Sequence, residues 1–102
     1  MLSNMKARCL VDRRVTLSAT AFAELVLWEV PEPVAGSAHR YKYRLALVER
    51  EVCVLRYDNE AGKGDHMHVG AVERPYRFEG IDGLLADFGA HVKEWLDANR
   101  NP

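Results

Sequence analysis

The chain is short of cysteine, of long apolar runs and of net charge, and each shortage removes a class of function. Its two cysteines, Cys9 and Cys53, form no CxxC spacing, so neither a disulfide framework nor a cysteine-based redox or zinc motif is expected. Both have apolar neighbours, and Cys53 reads as a small buried hydrophobe. The apolar run Leu25 to Trp28 is bounded by Glu24 and Glu29, too short for a membrane span. No apolar core of signal-peptide length lies near the N-terminus, which together with the cysteine usage predicts a cytoplasmic protein. Lys and Arg number 14 against 15 Asp and Glu, a net charge of -1. No global basic field therefore draws in nucleic acid or an anionic membrane, and attraction for RNA has to come from a local patch.

What is present is ordinary globular material, 48% hydrophobic and 28% charged over 102 residues. That length supports one domain with one core, 1–102, with a loose N-terminus over 1–7 and a tail over 97–102. Leu10 to Leu17 reads as a strand, and Ser18-Ala19-Thr20 as a turn. Ala21 to Val30 is apolar on both parities, the pattern of a strand covered on both faces. Pro31 to Ser37 is a loop. His39 to Val48 alternates cleanly, and Val52 to Asp58 returns as its hairpin partner after Glu49-Arg50-Glu51. With Arg50 at the tip, Leu47 opposes Cys53, Tyr43 opposes Tyr57, Lys42 opposes Asp58 and Arg44 opposes Arg56. Short strands are expected at Val69–Val72 and Tyr76–Phe78. From Ile81 to Asn99 the apolar residues recur at three and four, an amphipathic helix with Asp82 near its start. The expected fold is α+β: a curved antiparallel sheet with a long C-terminal α-helix packed on one face.

The stretch that no core requires is Tyr57-Asp58-Asn59-Glu60-Ala61-Gly62-Lys63-Gly64-Asp65-His66-Met67-His68. It places two histidines around one residue, three carboxylates, and a lysine between two glycines directly after the apolar run Val52 to Leu55. On an extended segment His66 and His68 point the same way. With Asp58, Glu60 or Asp65 they are candidate ligands for a divalent metal, although H-x-H alone is a weak signal and no cofactor is predicted from it. The second reading is acid/base chemistry: a base for an RNA 2′-hydroxyl, an acid for the leaving oxygen and a cation for the phosphate. His66, His68, Lys63, Asp58, Glu60, Asp65 and Tyr57 are the catalytic candidates. Arg44, Arg56 and Lys42 are candidates for holding substrate, as are Gly62 and Gly64, whose backbone can approach a phosphate. The blander alternative is an internal salt bridge from the arginines to Asp58 or Glu60. A non-catalytic binding module that acts through a protein partner is the competing function.

The runs Tyr41 to Leu45, Val52 to Glu60, Gly62 to His66, Pro75 to Phe78 and Leu84 to Phe88 resemble the TumE family of small bacterial toxins. The resemblance covers roughly Val15 to Trp95, and Y-D-N-E-x-G-K-G-D-H is a long and specific motif. It implies the toxin of a type II toxin–antitoxin module, neutralised by a small helix-turn-helix DNA-binding antitoxin. In the family motif an arginine commonly stands between the two histidines, where this chain has Met67. If that arginine meets a phosphate, Met67 weakens activity here. A toxin also needs a partner surface, and Trp28 and Trp95 are candidates for an antitoxin or homodimer interface, against the simpler reading that both are core.

Overall fold

The computed structural model describes residues 6–99, so most of the expected loose start and the end of the tail, 1–5 and 100–102, lie outside the described residues. Six strands form one antiparallel sheet in sequence order: β1 (Arg8–Thr16), β2 (Ala21–Glu29), β3 (Tyr41–Glu49), β4 (Val52–Asp58), β5 (His66–Val69) and β6 (Val72–Pro75). One helix, α1 (Ile81–Ala98), follows. The α+β expectation holds. No helix among the described residues is long and apolar enough to cross a membrane.

Alternation decides which face the helix covers. Leu27, Tyr43, Leu45, Leu47, Leu55 and Tyr57 all point one way, and Leu84, Phe88 and Val92, spaced at four on α1, close over them in one buried cluster. The opposite face has no second layer among the described residues. This corrects the reading of β2 as covered on both sides. Ala23 and Leu27 are buried under the helix, whereas Phe22, Val26 and Trp28 are half-buried on the open face. Phe22 is screened there by the Arg14 guanidinium, 3.6 Å from its ring centroid. Cys53, expected in the core, is exposed.

The β3–β4 register also differs from expectation. Arg50 and Glu51 form the turn, with left-handed φ of 48° and 68°, the backbone of a tight two-residue hairpin. That turn sets Glu49 against Val52, and a bulge after Leu47 shifts the pairing once more, so Leu47 meets Leu55, Leu45 meets Tyr57 and Arg44 meets Asp58. The two single shifts restore parity from Leu55 onward, so the expected apolar face survives except at Cys53, which pairs with Val48 instead. The feared opposition of Arg44 and Arg56 does not occur: Arg56 pairs with Ala46. The strand expected at Val69–Val72 is instead the tip of the β5–β6 hairpin, turning at Gly70 with φ 59°. Tyr76–Phe78 is irregular chain, anchored by the Tyr76 N–H donating to the Asp65 carbonyl at 3.0 Å.

Candidate functional site on the open face of the sheet

Four of the nominated side chains come together on the uncovered face, because antiparallel pairing puts opposed residues side by side. β4 and β5 pair Asp58 with His66 and Arg56 with His68. Asp58 and His66 are buried, each with about 5% of its surface exposed. Asp58 Oδ1 lies 3.4 Å from His66 Nε2, and Asp58 Oδ2 lies 2.6 Å from Arg56 Nε. The Arg56 Nε–H is buried without an acceptor in line, so this contact is an ion pair and not a directed hydrogen bond. The other end of the guanidinium donates from Nη2 to His68 Nε2 at 3.0 Å. The two imidazole centroids are 4.9 Å apart.

The hydrogen bonds assign the tautomers. Arginine only donates, so His68 Nε2 is the acceptor and its neutral ring carries the proton on Nδ1. Burial, and secondarily the Arg56 charge, push the His68 imidazolium down in pKa, which keeps this ring neutral at pH 7. A carbonyl only accepts, so His66 Nδ1, 2.9 Å from the Gly64 oxygen, carries a proton. His66 Nε2 then faces Asp58 on one side and Glu73 Oε1, 3.7 Å away, on the other. Glu73 was not nominated from the sequence; its place beside the histidines comes from β6 pairing with β5, which sets it against His68. Lys63 Nζ reaches the same Glu73 oxygen at 2.9 Å. Lys63, His66, Glu73 and Arg74 line a cleft of about 390 Å³.

The remaining nominated residues flank this cluster or stand elsewhere. Arg44 is half-buried, one strand over from Asp58, and Lys42 is exposed opposite Trp28. Glu60 is exposed, and its backbone N–H, 3.4 Å from Asp58 Oδ1, donates to that carboxylate. Asp65 belongs to the scaffold side. Its carboxylate accepts from the Ser37 hydroxyl at 2.6 Å and the Tyr43 hydroxyl at 2.7 Å, and pairs with His39 Nε2 at 2.6 Å. His39 in turn stacks on Phe78, centroids 3.7 Å apart. Burial alone would push the Asp65 carboxyl up, but the bonds from Ser37, His39 and Tyr43 together hold it below the usual carboxylate range.

Gly64 lets backbone approach backbone. A Cβ on Gly36 would lie 2.4 Å from Gly64 N, and one on Gly64 would lie 2.9 Å from Gly36 O. This contact clamps the Pro31–Arg40 loop to the polar stretch and fixes the carbonyl that orients His66. Gly62 is exposed, with φ 76°.

Tyr57 and Met67 pair across β4 and β5 and point toward the helix. The Tyr57 hydroxyl lies 2.8 Å from His91 Nδ1, and both line a second cleft of about 550 Å³ with Met67, Arg74, Tyr76 and Asp87. A side chain at position 67 therefore faces Tyr57, not the space between His66 and His68. His91 has a signal in the sequence after all: it sits three residues after Phe88 and four before Trp95, a polar group on the helix's apolar stripe.

One comparison with known proteins is informative. The model of the family described as Toxin TumE matches residues 6–96. No curated protein and no solved structure matches the chain. A match that runs from β1 to the last turns of α1, taking in the whole polar stretch and the sheet that carries it, places the chain in the TumE toxin family.

Proposed function

We propose that this chain is the toxin of a toxin–antitoxin module, that it works in the cytoplasm, and that it cleaves RNA at the open-face cluster. Its partner in this reading is a helix-turn-helix DNA-binding antitoxin, and a second copy of the chain is the other expected occupant of the face around Trp28. The observation that carries the proposal is the unbroken line of contacts His66–Asp58–Arg56–His68, which sets a neutral imidazole and a second imidazole on either side of a partly buried cation.

RNA transesterification needs those three parts. His68 takes the proton from the 2′-hydroxyl, whose oxygen attacks phosphorus. Arg56 balances the charge that develops on the phosphoryl oxygens. His66 acts in its doubly protonated form: with Nδ1–H held on the Gly64 carbonyl, it gives its Nε2 proton to the departing 5′-oxygen, leaving a 2′,3′-cyclic phosphate and a 5′-hydroxyl. Arg56 holds the His68 lone pair at rest, so a phosphate that attracts the guanidinium frees the base as it binds. Arg44 and Lys42 extend positive charge along β3 for the flanking nucleotides.

The same resting contact favours the second reading, a binding module, because the cluster is internally neutralised before any ligand arrives. Expressing the chain and its His66→Ala/His68→Ala variant in bacteria separates the two. Growth arrest with fragmented RNA, lost in a variant whose circular dichroism is unchanged, supports the ribonuclease. Arrest with intact RNA, or arrest by the folded double variant, refutes it and leaves the binding module.

A further inference from the structure

Among the described residues, Asp58, His66 and His68 bring one potential ligand atom each to within 4.8 Å of one another. Two imidazoles and a carboxylate suit zinc, manganese or iron. We propose that these three residues bind one divalent transition-metal ion, and that Arg56 is the resident cation which the ion displaces.

The distances set the argument. A tetrahedral ion with bonds of about 2.0–2.1 Å has ligand-to-ligand edges of about 3.3–3.4 Å. The Asp58 Oδ1 to His66 Nε2 separation is already 3.4 Å. The wider spacing to His68 has a visible cause: the guanidinium stands between Asp58 and His68, touching them at 2.6 and 3.0 Å. Its withdrawal lets the side chains close. The His66 ring is also oriented as metal-bound rings are, with Nδ1–H on a backbone carbonyl and Nε2, where an ion would stand in place of a proton, directed at Asp58. That carbonyl belongs to Gly64, which the contact with Gly36 holds in place. Glu73 Oε1, 3.7 Å from His66 Nε2, offers a further oxygen at the mouth, where Lys63 now holds it. Charge also balances: one divalent ion replaces the two cations, Arg56 and Lys63, that now offset Asp58 and Glu73.

Binding does not depend on RNA being the substrate. Its consequence does, and rests on the proposed function: an ion on His66 and His68 occupies the nitrogen that carries the acid's proton and the nitrogen that serves as base. The metal-loaded chain is then unable to cut, and zinc acts as an inhibitor relieved by a chelator.

The test uses the full chain, stripped with EDTA, returned to zinc chloride, and titrated against a chromophoric chelator. Expected are one retained zinc per chain and affinity lower by about 10–100-fold or more in His66→Gln and Asp58→Asn, since even supporting residues of metal sites cost that much. Arg56→Met, which removes the competing cation, is expected to bind zinc more tightly than the parent. No retained zinc in the parent or in Arg56→Met overturns the site, and so does an affinity that His66→Gln leaves unchanged. RNA left intact by the stripped protein would instead sink the ribonuclease reading, while the zinc affinities still decide the metal site.

Discussion

Asp65→Ala distinguishes a scaffold carboxylate from a catalytic one. The residue stands within the polar stretch, two positions from Lys63 and next to His66, and the sequence nominates it for chemistry. Its carboxylate instead joins three elements: Ser37 and His39 from the loop before β3, and Tyr43 from β3 itself. Its side chain is 9% exposed and that of His39 15%. A hydrogen bond to a charged group contributes about 1.5–3 kcal/mol, and removing one side of a buried pair strands the other. Three bonds sharing one carboxylate are not additive, so we work with about 3–4 kcal/mol for the set. A domain of this kind is stable by roughly 5–15 kcal/mol, so the loss is a large fraction of the whole. With a urea m-value of about 1–3 kcal/mol per molar, the unfolding midpoint falls by roughly 1–4 M. Lys63→Ala is the control, because its pair with Glu73 is exposed and screened by solvent, and such pairs add little stability.

The acid limb gives a second reading of the same group. Its folded pKa is held below the unfolded one, so the stabilisation is present above about pH 4, where the unfolded carboxyl is ionised, and is lost as pH falls through the folded value. Asp65→Asn is expected to flatten that acid slope. An Asp65→Ala protein that keeps its urea midpoint within about 0.5 M, yet no longer arrests growth, would refute the scaffold assignment and return Asp65 to the chemistry.

Gly83→Ala and Gly89→Ala are each expected to stabilise the chain by about 0.5–1 kcal/mol, read as a higher Tm, because both lie inside α1 with open space where a Cβ would be added. Gly36→Ala is expected to cost about 2 kcal/mol or more in urea unfolding, since it combines a left-handed φ of 86° with a Cβ 2.4 Å from Gly64 N. His68 titrates below its ordinary value through burial and then the Arg56 charge. The unfolded chain thus binds that proton more readily, and stability drops as pH falls below about 6.5. Urea midpoints at pH 7 and pH 5 should converge in His68→Gln relative to the parent.

Elements with a periodic pattern were legible, and so was the face each apolar residue takes. Leu45, Leu47, Leu55 and Tyr57 share a face under either hairpin register, because parity survives a shift of two. Which residues sit opposite one another was not legible, since that depends on the φ of Arg50 and Glu51 and on a bulge that no side chain signals. The apolar second parity of β2 misled for a related reason. Phe22, Val26 and Trp28 look like buried residues, but a single helix covers only one side, and Phe22 is partly shielded by a guanidinium instead. Glu73 and His39 carry no motif of their own, and His91 shows only as a polar group on the apolar stripe of the helix. They reach the polar stretch only through strand pairing, loop docking and helix packing.

The density of that stretch has a physical explanation in its alternation. Asp58, His66 and His68 face the open side, while Tyr57, Asn59, Asp65 and Met67 turn inward. Asn59 is fully buried, accepting from the Tyr43 N–H at 3.0 Å and donating to the Tyr41 carbonyl at 2.7 Å and the Ser37 hydroxyl at 3.1 Å. Tyr57 ties β4 to α1 through His91, and Asp65 ties the loop to β3. One set of polar residues thus forms the cluster on the open face, and the interleaved set fastens the strands that hold it. A substitution in the inward set would abolish function by releasing the strands, and activity alone would not tell it from a substitution in the outward set. Stability does tell them apart. Loss of Asn59 or Asp65 should carry a large unfolding penalty because each satisfies several buried partners, whereas His68, half-buried and bonded to one side chain, can be lost with the sheet intact.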